Sequence, residues 1–115
     1  MSEATHTPGK WVFGDWVNNK RKKVDGAGWI EVWTVSKNGE KSLPFVSCRH
    51  QDEFANARLI AAAPDLLSDL RKAATTLRQY ERLHRAKNTD ESTAKANVNA
   101  TLAARFEVTI AKATQ

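Results

Sequence analysis

The chain has a single cysteine, Cys48, in 115 residues, so an internal disulfide framework is excluded and a reducing compartment is expected. It has no uninterrupted apolar run approaching the roughly 18 residues of a spanning helix. Its first residues, Met1-Ser2-Glu3-Ala4-Thr5-His6, contain neither a basic segment nor an apolar one of the kind that directs secretion. A soluble cytoplasmic protein without membrane association is therefore predicted, and the sequon Asn99-Ala100-Thr101 carries little meaning in that setting. Glycine is scarce too. Gly26-Ala27-Gly28 brings two glycines together but lacks the following helix and the lysine of a phosphate-binding loop.

Catalytic groups are equally sparse. Cys48 and His50 could share a strand face, yet no third group is present to orient them, and neighbours on one strand seldom reach productive contact. His50, Asp52 and Glu53 match no familiar metal-ligand spacing, and His6 and His84 are remote from them. His84 falls near a helix end on an apolar stripe, where a structural hydrogen bond is expected. No enzyme, no metal site and no cofactor are predicted.

The length suits one domain, residues 1–115, which by size scaling buries roughly two-thirds of its unfolded surface without metal or disulfide. Within it, residues 1–9 are expected to be flexible, 10–50 to form a sheet region and 51–115 a helical region. The net charge is +5 and the pI about 9.6, which suits an anionic partner. No basic tail concentrates that charge: residues 1–50 hold eight Lys and Arg against five acids, and residues 51–115 hold ten against eight.

Aromatic and β-branched residues crowd the first half. Lys10–Val17 and Gly28–Val35 read as strands, and Asn38-Gly39 between Lys37 and Glu40 predicts a type I′ turn leading to a third strand over 42–48. Pro44 cannot donate to a ladder, so that strand begins there or lies at an edge. Trp29, Glu31 and Trp33 alternate with Ile30, Val32 and Thr34. Either Trp29 and Trp33 face the core and Ile30 and Val32 cover a minor surface, or the tryptophans form an aromatic patch for a partner or a second copy.

The period changes after Gln51. Asp52 is a candidate N-cap for a short helix carrying Phe54, Ala57, Leu59 and Ile60. Pro64 is expected to end it and to open a second helix whose buried stripe is Leu66, Leu70, Ala73, Leu77, Tyr80 and His84. Asn88-Thr89-Asp90-Glu91 supplies the break and the cap of a last helix with Val98, Leu102, Phe106 and Ile110 on one side. Many alanines allow close approach, so the two long helices should form an antiparallel hairpin. The fold class is α+β: a small three-stranded antiparallel sheet, a short helix and a two-helix antiparallel hairpin.

The combination of Thr7-Pro8-Gly9-Lys10-Trp11, a strand region and the segment Ala55-Asn56-Ala57-Arg58-Leu59-Ile60-Ala61-Ala62-Ala63-Pro64-Asp65-Leu66-Leu67 resembles a group of small accessory proteins encoded by bacteriophages and prophages. The resemblance spans roughly residues 7 to 72 and speaks to a shared scaffold. It implies action by binding and blocking a host protein or ribonucleoprotein complex with an acidic surface, an anti-defence or anti-CRISPR-like role being the preferred case. Direct DNA or RNA binding, as by a small regulator, is the alternative, and a structural or assembly role with homo-oligomers the third.

Two basic elements could serve such a partner. Arg71, Arg78, Arg82 and Arg85 project within about 60° of one another on the second long helix, forming a ridge roughly 130° from the centre of the leucine stripe. The plainer reading is a solvated helix face whose cations complement the dipole, with Asp69 and Glu81 close enough to pair with some of them. Lys20-Arg21-Lys22-Lys23, near Trp16, could touch a nucleic-acid backbone with stacking from the indole, or could simply protect a strand edge.

Overall fold

A computed structural model describes residues 6–14, 30–48 and 53–115. Strands β1 (Lys10–Gly14), β2 (Ile30–Val35) and β3 (Val46–Cys48) precede helices α1 (Glu53–Lys87) and α2 (Asp90–Thr114). The α+β class follows. The sheet is antiparallel in the order β1-β2-β3, with Val12 opposite Trp33 and Ile30 opposite Cys48.

The chain divides into two compact units at Pro64, one spanning His6–Pro64 and the other containing Asp65–Gln115. In the first, the β2 side chains that point to one face, Ile30 and Val32, are wholly buried with Cys48 and with Ala57 of α1. Each such aliphatic burial is worth about 1.5–3 kcal/mol. Phe13, Val46, Phe54 and Ile60 close the edges of this cluster. Trp33 is buried as well, only 1% exposed, and its register partner Val12 is buried beside it on the opposite face. Neither alternative for this strand holds as stated: Trp33 is interior, but Ile30 and Val32 do not cover a minor surface, because they are the side chains of the core cluster with Ala57. Trp29 lies outside the described residues.

The β2–β3 connection differs from the expected type I′ turn. Gly39 donates to the Ser36 carbonyl at 3.0 Å and takes φ +83°, whereas Asn38 keeps negative φ. One left-handed residue instead of two gives the three-residue loop in which a type I turn is followed by a glycine bulge. The Ser36 hydroxyl accepts from the Asn38 and Glu40 amides at 3.3 and 3.2 Å, which favours this form. Pro44 precedes β3, an edge strand shorter than the run of 42–48 suggested.

The N-terminal approach is held by specific contacts. The Trp11 Nε1 donates to the Thr7 carbonyl at 3.0 Å, and its ring meets Phe45 edge-on at 4.8 Å. Gly9, at φ +105°, lies so close to the Val35 carbonyl that a Cβ would sit 3.2 Å from the oxygen. The motif around Trp11 is therefore a packing device for the first strand.

Pro64 does not separate two helices. It lies inside the 35-residue α1, where its missing N–H leaves the Ile60 carbonyl without the usual helical donor. The strong helix formers Ala61, Ala62 and Ala63 before it, and Leu66 and Leu67 after it, carry the helix through this defect. Asp52, the expected cap, lies outside the described residues. Replacing Pro64 with Ala should restore the hydrogen bond and stabilise the fold by roughly 1–2 kcal/mol, after allowance for the greater freedom of the unfolded chain. Urea unfolding checks this. A lower midpoint would mean that the ring itself is required.

Candidate functional site

The second unit is a helical hairpin made by a two-residue reversal. Asn88 adopts the left-handed conformation, φ 52°, and its amide donates to the Arg85 carbonyl at 3.1 Å, ending α1. Thr89 is the N-cap of α2, its hydroxyl accepting from the Ser92 amide at 3.1 Å, and Asp90 and Glu91 occupy the first turn. The cap and break anticipated at 88–91 are in place.

The most deeply buried apolar positions of the hairpin are small. Ala74, Ala96 and Ala103 are buried, the last two completely. On α1 the seam passes Leu67, Leu70, Ala74, Leu77 and Glu81, a three-four spacing rotated by roughly 60° from the expected leucine stripe, with which it shares Leu70 and Leu77. Leu66 and Tyr80, expected inside, are 53% and 51% exposed. Val98 on α2 is likewise exposed, whereas Phe106 and Ile110 are half-buried. Close approach of alanines wins over burial of the larger side chains within one hairpin.

The displacement brings the arginine ridge beside the seam instead of far from it. Arg78 forks onto Glu107 of α2, with Nη2 at 2.6 Å from Oε1 and Nε at 3.1 Å from Oε2. Its remaining Nη1 donates to Glu81 at 2.9 Å. Arg85 donates through Nε to the other Glu81 oxygen at 2.9 Å and through Nη1 to Asn97 at 3.2 Å. Two arginines and two glutamates thus cancel in charge and join the helices. Hydrogen bonds from Arg78 hold both Glu107 and Glu81 below the usual carboxylate value, with Arg85 adding to the effect at Glu81, while Glu107 and Glu81 raise the Arg78 guanidinium.

Arg71 and Arg82 lie farther round the same side of α1. Both are exposed, and with Thr75 and the clamp residues Arg78 and Glu107 they line a shallow groove of about 460 Å³. The groove floor includes Ala74 and Ile110, so an anionic group entering it meets guanidinium donors above a small apolar base. Sequence reasoning found the four arginines and Glu81. It missed Glu107 and Asn97, because a partner 29 positions away is visible only once the hairpin forms.

Trp16, Lys20, Arg21, Lys22 and Lys23 lie outside the described residues, as does His50. His84 lacks its expected hydrogen bond at one nitrogen: Nδ1 is buried without a partner. Among the described residues there is no metal-binding cluster of His, Cys, Asp and Glu, and no helix is long and apolar enough to cross a membrane.

A family model described as Salmonella phage P22 protein Y8K6 matches residues 1–115. No curated protein and no solved structure matches the chain.

The clamp predicts an acid-sensitive hairpin. Because Glu81 and Glu107 titrate below their ordinary value of 4.5 when folded, their contribution is complete above that pH and is lost as pH falls through the depressed folded values. Thermal melts between pH 6 and about pH 3 should show a steeper fall for the natural chain than for an E81Q/E107Q double variant. Parallel curves would contradict the clamp.

Proposed function

The chain belongs to the Salmonella phage P22 protein Y8K6 family, and from that membership we propose that it is a non-enzymatic phage accessory protein that binds and blocks a macromolecule in the host cytoplasm. An anti-defence, anti-CRISPR-like inhibitor is the preferred form of this activity. On this reading the Ala55–Leu67 segment marks the shared scaffold, and the hairpin carries the individual activity.

The observation that supports it is the open groove of the hairpin, whose lining holds three arginines, Arg71, Arg78 and Arg82, against one carboxylate, Glu107. Such a groove suits carboxylates or phosphates on an acidic protein or ribonucleoprotein surface, where charge complementarity raises the association rate and fixes the register. Blocking is steric: the host surface is occupied and no bond is made or broken. The hairpin supplies a rigid mount, since both groove walls are helical and the clamp ties them together.

Expression in a host with an active CRISPR system should raise the plating of a targeted phage. Arg71→Glu with Arg82→Glu should remove roughly tenfold or more of that protection while circular dichroism stays helical, the loss expected when charge-assisted contacts are reversed. Arg78→Glu should cost stability as well, because it breaks the clamp. Full protection by the folded Arg71/Arg82 variant, or no protection from the natural chain, would overturn the proposal. Retardation of DNA or RNA by the purified protein, falling steeply as salt rises, would favour direct nucleic-acid binding instead.

A further inference from the structure

We propose that the apolar face of the hairpin opposite the arginine groove is a self-association surface, on which two copies pack hairpin against hairpin as a four-helix bundle. The inference is independent of the host-blocking role. It rests on the leucine stripe of α1, which shares Leu70 and Leu77 with the intrachain seam but leaves Leu66 and Tyr80 exposed.

Leu66, Leu70, Ala73, Leu77, Tyr80 and His84 follow steps of four, three, four, three and four. That is the seven-residue repeat by which one helix seats side chains between those of another. On α2, Leu102 and Phe106 project to the same side. One hairpin therefore covers this surface from one side only and leaves its outer edge open. Helices built this way need two neighbours, and a second hairpin with the same repeat supplies them.

Area and charge both favour a second copy as the occupant. Leu66, Tyr80 and Leu102 are 53%, 51% and 38% exposed. With the half-buried Leu70, Leu77 and Phe106, they offer on the order of 400 Å² of apolar surface, about half of the roughly 800 Å² per partner in a standard interface. A polar rim of ordinary width completes it. Asp69 and Lys87, both exposed, stand about five turns apart along one edge of the stripe. A two-fold axis passing between them, near Leu77 and Tyr80, sets Asp69 of each copy against Lys87 of the other. The edge is thus self-complementary, as an isologous contact requires. The arginine groove lies roughly 150° away around α1 and stays open in the dimer.

Sedimentation equilibrium of the full chain from low to high micromolar concentration tests this. The natural protein should reach twice the 12.8 kDa chain mass. Tyr80→Glu with Leu102→Glu should weaken dimerisation by at least tenfold while helicity is retained. Should that variant unfold, a charge swap decides: Asp69→Lys alone should weaken the dimer at low salt, and adding Lys87→Asp should restore it. A natural chain that stays monomeric throughout, or a dimer indifferent to all of these changes, would overturn the proposal. So would a monomer that captures only a foreign protein on this face. Absence of phage protection from a natural chain that does dimerise would count against the host-blocking role alone.

Discussion

Close approach of α1 and α2 through alanine is the constraint on which the hairpin depends. Ala96 and Ala103 are wholly buried and Ala74 nearly so, which leaves no space for larger groups along that line. These alanines bury little apolar area per residue. They compensate by bringing the helix flanks within reach of one another, and the short Arg78–Glu107 fork is the result. The fork is partly solvated, so its main effect is to set the axial register of the helices, with modest stabilisation.

Two consequences follow from this seam. On one flank, Arg78 and Arg85 are drawn into a clamp with Glu81 and Glu107, and Arg71, Arg78 and Arg82 line the groove beside it. On the other flank, Leu66 and Tyr80 are turned outward although their spacing is that of a buried stripe. One choice of packing line therefore generates both a polar groove and an apolar face. Had the leucine stripe formed the intrachain contact, the arginines would have faced solvent together and Glu107 would have been out of reach.

Much of this fold was legible in the sequence. Aromatic and β-branched runs located β1 and β2, the Asn-Gly pair located the β2–β3 connection, and Asn88-Thr89 located the hairpin reversal, because each depends on chemistry confined to a few neighbouring residues. Two features depended on competition instead. Pro64 is a strong local signal for a helix start, but the alanines and leucines around it outweigh one missing hydrogen bond. On α1 the large apolar residues and the alanine-centred seam follow the same seven-residue period at slightly different angles, and periodicity alone cannot rank close backbone approach against side-chain volume. The candidate site was legible only in its basic half, since Glu107 and Asn97 join it through a tertiary contact.

Urea unfolding of a variant carrying Ala96→Leu and Ala103→Leu tests the central claim most directly. Leucine is only about a few tenths of a kcal/mol poorer than alanine as a helix former, so a larger loss must come from the contact itself. The account predicts a loss of about 1–3 kcal/mol per site from overpacking, together with loss of the Arg78–Glu107 coupling in a double-mutant cycle. A variant with unchanged or greater stability and an intact coupling would show that the alanines do not set the approach of the helices.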